Sequence, residues 1–138
     1  MLYGTVGDTV MHTTKQELPT LMETPDAVVQ QQQDFGELPA DTTLSAEHMQ
    51  FSAGTDITPL LEGLPDDHCP VPHWGYVIDG EITIKYVDGS EETDRGGDVV
   101  YWPPGHTARA EEDTEVVLFS PQEDHRDVFD HMAAKMEE

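Results

Sequence analysis

From Pro72 to Pro121 the chain is a succession of short alternating segments, each closed by a glycine or aspartate turn, and this spacing leaves little choice of architecture. In "EITIKYVDG", Ile82, Ile84 and Tyr86 alternate with Thr83, Lys85 and Val87, the two-residue period of a half-buried strand. Asp88-Gly89 then supplies a tight hairpin signal. Ahead of it, "HWGYVIDG" reads as a strand running into a turn. Behind it, "ETDRGGDVVYWPPGH" reads as a strand, a Gly-Gly-Asp turn and an apolar strand ended by Pro103-Pro104-Gly105. "HTARAEED" and "TEVVLFSP" add two more. About seven short strands separated by such turns predict an all-β sandwich or barrel.

The flanks are patterned differently. Residues 1–45 form an N-terminal arm: Gln30 to Gly36 is polar and low in complexity, "DAVVQ" reads as a short strand, and Pro19, Pro25 and Pro39 punctuate the rest. Met11 is an alternative start, which makes residues 1–10 a frayed end. The barrel spans 46–120, beginning with a strand around His48 to Ser52 and one helical turn in "TPLLEGLP" closed by Gly63. A C-terminal helix fills 121–138. Ser120 suits its N-cap, Pro121 its first position, and Glu123 completes a capping-box spacing. Val128, Phe129, Met132 and Met136 recur at helical spacing, an apolar stripe for the barrel or for a second subunit.

Composition narrows the partners. The chain of 138 residues fits one domain and carries 29 acidic against 6 basic residues, a net charge of −23. Such a surface repels nucleic-acid phosphates and anionic membranes. Its self-repulsion calls for salt screening, so the expectation is a halophilic protein of the cytoplasm. The single cysteine, Cys69, excludes an intrachain disulfide. No apolar run approaches the ~18 residues of a membrane span, and "MLYGTVGDTV" lacks the basic start and apolar core of a signal peptide.

"DDHCPVPH" (66–73) places two histidines, a cysteine and two aspartates at the mouth of a strand. Together with "YVIDG", "GEITIKYVDGSEETDRGGDVVYWPPGH" and the turn before His106, the stretch from about Leu60 to Pro121 resembles the cupin superfamily. Cupins are small jelly-roll β-barrels whose two motifs read roughly G-x5-H-x-H-x3,4-E-x6-G and G-x5-P-x-G-x2-H-x3-N. Aligned from Gly80, the glutamate position falls on His73. The two earlier histidine positions fall on Asp66 and His68, or on Asp67 and Cys69. Gly97 and Pro103-Pro104-Gly105 match the second motif; its histidine position is Ala108, and His106 stands two residues earlier, on the same strand face. The chain thus departs from the usual ligand set and resembles a subgroup with C-x3-H-x-G-Y-V and P-P-G-H, carried by Cys69, His73, Gly75, Tyr76, Val77 and Pro103 to His106.

The resemblance implies a cupin jelly-roll barrel, a homodimer, and one divalent transition metal (Fe, Zn, Mn, Ni or Cu). His73 and His106 meet inside if their strands lie side by side, and His68 or Cys69 supplies a third ligand. A thiolate shifts the choice toward Zn or Fe. Asp66 or Asp67 offsets the charge or orients a ligand histidine. Tyr76 and Trp102 are candidates to line a substrate pocket, and Gly75 to leave it space. Arg109 either clamps a substrate carboxylate or pairs with Glu111 or Glu112. His125 and His131, on the tail helix, are expected in solvent. No catalytic acid or base stands out beyond Asp66, Asp67, Tyr76 and Tyr101. Two functions fit: a small metal-dependent enzyme, dioxygenase-like, acting on a small anionic organic molecule, or a non-catalytic module binding a small ligand or sensing a metal. A barrel whose histidines and cysteine merely pack is the third reading.

Overall fold

The structure is a computed structural model describing residues 10–138 and, before them, only the backbone pairing of β1 (Thr5–Val6) with β2 (Thr9–Val10). Of residues 1–10, expected to be frayed, Thr5, Val6, Thr9 and Val10 are paired and the others lie outside the described residues. The remaining strands are β3 (Thr20–Glu23), β4 (Ala27–Gln32), β5 (Glu37–Leu38), β6 (Thr42–Phe51), β7 (His73–Asp79), β8 (Glu81–Tyr86), β9 (Glu91–Arg95), β10 (Val99–Trp102), β11 (His106–Ala110) and β12 (Thr114–Pro121). Among the described residues two α-helices accompany them, α1 (Thr58–Leu61) and α2 (Gln122–Met136), with short 3-10 turns at Lys15–Glu17 and Pro65–Asp67.

The larger sheet runs β10-β7-β12-β6-β4-β3, with β5 beside the start of β6. The smaller runs β11-β8-β9. All pairings are antiparallel, and the two sheets form an open jelly roll with a C-terminal helix, the expected all-β architecture. The alternation read from the sequence survives in β12, where Thr114, Val116, Leu118 and Ser120 point inward and their neighbours do not. Val77, Ile82, Ile84, Val116 and Leu118 fill the space between the sheets.

Gly75 is fixed by packing. A Cβ there would lie 2.0 Å from the Val117 carbonyl oxygen and 2.8 Å from Leu118 Cδ2. The room expected beside His73 is therefore occupied by β12. Gly80 has φ +100° and turns β7 into β8 against the Asp113 carbonyl, where a side chain would be both strained and blocked.

The helix α2 lies over the barrel with Val128, Phe129 and Met132 buried, whereas Met136 is exposed beyond the end of that stripe. Its cap differs from expectation. Ser120 is the penultimate residue of β12, its hydroxyl is buried, and α2 has no side-chain cap. The hydroxyl faces inward because the alternation of β12 outranks its local capping preference.

Candidate metal centre

His73 opens β7 in the larger sheet and His106 opens β11 in the smaller one. The two strands face each other across the interior rather than lying side by side, and the imidazoles meet there with ring centroids 5.0 Å apart. Cys69 reaches the same point because its backbone bridges β11: its N–H donates to the His106 carbonyl at 2.8 Å. One donor atom each from Cys69, His73 and His106 falls within 4.8 Å of the others, and all three residues are buried.

Hydrogen bonding decides which ring nitrogens are free. His106 Nδ1 lies 2.7 Å from the Pro103 carbonyl, which only accepts, so Nδ1 carries the proton and Nε2 is bare. The Ser120 hydroxyl donates to Glu47 Oε1 at 2.8 Å. Its oxygen, 2.7 Å from His73 Nδ1, is left to accept from that ring. His73 Nε2 is then also bare, 3.7 Å from Cys69 Sγ. Fixing a histidine by its other N–H is how proteins aim imidazole ligands at a metal.

The electrostatics agree. Burial holds His73 well below the ordinary histidine range, helped by His125 and His106. Burial brings His106 down to about 4, against an opposing contribution from the Pro103 carbonyl. Both rings are therefore neutral, as ligands must be. Burial pushes the Cys69 thiol up to about 11. The donor set of two neutral imidazoles and one thiol fits a divalent transition metal, with the thiol giving up its proton on binding.

Behind this trio stands a group the sequence does not advertise. Glu47, on β6, is 1% exposed. Its carboxylate accepts from Ser120, Ser45 (2.9 Å), Gln31 (3.0 Å) and His125 Nδ1 (2.6 Å). His125 is 4% exposed, contrary to its expected place in solvent, because it faces the barrel from the first turns of α2. Its ring centroid lies 4.4 Å from that of His73 and 4.2 Å from that of Phe129. Glu47, His73 and His125 form a second cluster of ligand-type atoms, and four donors converge on its carboxylate.

A cavity of about 60 Å³ adjoins the trio, mostly apolar and roofed by Val128, Phe129 and Met132 of α2. The other residues singled out in the sequence lie elsewhere. His68 is half-buried, points Nδ1 at the Asp66 carbonyl, and lines a separate surface pocket with Lys85 and Arg109. Asp66 and Asp67 are exposed, the latter accepting from the Gly63 N–H. Arg109 pairs with Glu111 and Glu91 at the surface, the ion-pair alternative. Tyr76 is on the outer face, 45% exposed, because β7 alternates and His73 points in. Trp102 does line the cavity, with its indole N–H fixed on Asp94 at 2.8 Å.

No protein-family model matches the chain, and no curated protein matches it. Solved structures do. An RmlC-like cupin from Shewanella frigidimarina aligns with a TM-score of 0.54 and 19% identity, over 82% of this chain and 93% of its own. The chain has a cupin fold. KdgF from Halomonas sp. is similar to it at 26% identity and a TM-score of 0.53, over 82% of this cupin and 96% of its own chain. Bacillus subtilis oxalate decarboxylase gives a TM-score of 0.56 at 23% identity; 86% of this cupin corresponds to 30% of that enzyme.

Proposed function

We propose that this cupin binds one divalent transition metal through Cys69, His73 and His106 and acts as a small metal-dependent enzyme on a small anionic organic molecule. The observation that carries the reading is the convergence of two bare Nε2 atoms and a thiol in one buried, largely apolar cavity. A bound ion would supply Lewis-acid polarisation and, with a redox-active metal, dioxygenase-like chemistry. The chain's own contribution is to hold the imidazoles neutral and aimed, and to exclude water with the apolar residues of α2. Among the described residues no lysine or arginine lines the cavity, so an anionic group would find its counter-charge in the metal. The fold of oxalate decarboxylase, an enzyme named for a small dicarboxylate, is a precedent for such a substrate.

One observation favours a second reading. At about 60 Å³ the cavity takes an organic substrate only if α2 or its side chains move, and a metal-sensing module needs no such movement. Elemental mass spectrometry on untagged protein purified in high salt tests the common core of both. Near-stoichiometric Fe, Zn, Mn, Ni or Cu is expected, lost in His73→Ala and in His106→Ala. No metal after loading with each ion in turn would overturn both readings.

The proposal extends to assembly and location. Trp74, Tyr76, Ile78, Val99 and Tyr101 are exposed together on the outer face of β7 and β10, with Trp74 stacked on Tyr101 at 5.3 Å. Strand β10 is also an edge of its sheet. An apolar patch of this kind marks an interface, and a second copy of the chain offers a matching face. Among the described residues no helix is long and apolar enough to cross a membrane. The acidic surface supports a place in a salt-rich cytoplasm.

A further inference from the structure

The Glu47 carboxylate is buried, and His125 Nδ1 lies 2.6 Å from its Oε2. A carboxylate in such a place keeps its position only while its lone pairs are filled. Gln31 from β4 and Ser45 from β6 hold it from within the sheet. The other two donors lead to functional elements. Through Ser120 the carboxylate fixes His73, since a hydroxyl that gives its proton to Glu47 must accept the Nδ1–H. Through His125 it anchors α2, whose Val128, Phe129 and Met132 roof the cavity.

We propose that Glu47 is a shared positioning residue that ties the docking of the C-terminal helix to the orientation of His73, so that the site is complete only when the helix is seated. The inference rests on the metal-centre reading insofar as His73 is a ligand. Its physical basis is a single carboxylate with one arrangement that satisfies all four donors. Moving α2 to admit a molecule takes His125 off Oε2, and the carboxylate then turns toward its remaining donors. Ser120 follows it, and the His73 ring loses its fixed acceptor. Linkage makes the coupling reciprocal: a ligand that holds His73 in place also holds the helix down.

The test uses the full-length, metal-free, nitrogen-15-labelled protein, read by ring-nitrogen correlation spectra and by amide hydrogen exchange of α2. Wild type should show His73 as a single Nδ1–H tautomer. Ser120→Ala should turn His73 into a tautomer mixture and also speed exchange along α2 by about tenfold or more, the loss expected for a bond to a charged group. His125→Phe, which keeps a ring but removes the donor, should do the same from the other end. Ser120→Thr should restore the single tautomer. His131→Gln, a helix variant on the Glu62 carbonyl side, should leave His73 unchanged. Wild-type helix exchange in Ser120→Ala, or an undisturbed His73 in His125→Phe, would overturn the coupling; if one variant does not fold, the other still decides it. A cobalt(II) titration followed by its visible absorption separates the two readings. Binding weakened roughly 10- to 100-fold in Ser120→Ala and His125→Phe supports the coupling at the metal. A wild type that binds no cobalt removes the metal reading and leaves the tautomer and exchange results to judge the helix coupling alone.

Discussion

His106 is kept neutral chiefly by burial, and neutrality has a cost in acid. Its folded pKa of about 4 lies below the ordinary value near 6.5. Above the ordinary value neither state takes a proton there, and the stability contribution is fully present. As pH falls from about 6.5 toward 4, the unfolded chain gains a proton that the folded chain refuses, so stability is lost; His73 acts in the same direction. The metal-free protein should therefore lose about 2 kcal/mol at His106 between neutral pH and pH 5. Urea unfolding across that range, with His106→Asn flattening the slope, measures it; an unchanged slope in the variant would refute the assignment. Cys69, His73 and His106 stand out in the sequence because "CPVPH" and "PPGH" resemble the motifs of a cupin subgroup. Glu47 and His125 do not. The segment "SAEHM" is buried on both faces, so no alternation marks its glutamate as inward. On α2 a histidine among charged neighbours reads as surface until the partner carboxylate is known.

Elements obey the same division between local and distant causes. The hairpins and the apolar stripe of α2 follow from neighbours in sequence and are readable there, whereas the alternation expected in β8 breaks at Thr83, which is buried between Ile82 and Ile84. The space beside Gly75 and the role of Ser120 depend on β12 and β6, far away in the chain, and are not readable from neighbours. Gly75 gives the sharpest consequence. An added Cβ meets main chain at 2.0 Å, and backbone paired on both sides in the β7–β12–β6 sheet gives way reluctantly. Gly75→Ala should destabilise the fold by about 3 kcal/mol or more, as overpacking against backbone does. Thermal unfolding checks this; a variant as stable as wild type would mean that β12 can shift without loss.

For the whole molecule, charge and the outer apolar face act against each other. A net charge of −23 opposes both compaction and the approach of a second copy, and salt relieves both. Stability and dimer content should therefore rise together between low and molar KCl. Sedimentation and thermal melts in the same buffers follow the two. Tyr101→Asp, on the exposed face, should abolish the dimer and leave the salt dependence of the melt in place. A monomer at all salt concentrations would refute the interface, and a salt-independent melt would refute the halophilic expectation. The two tryptophans divide along the same inside–outside line. Trp74 is 42% exposed beside Tyr101, and Trp102 is 4% exposed, with its ring edge-on to His73 at 6.3 Å. Trp74 should therefore emit at longer wavelength than Trp102. If a quenching ion binds at His73, the shorter-wavelength emission should fall first, so that a titration can be followed by emission wavelength without a label.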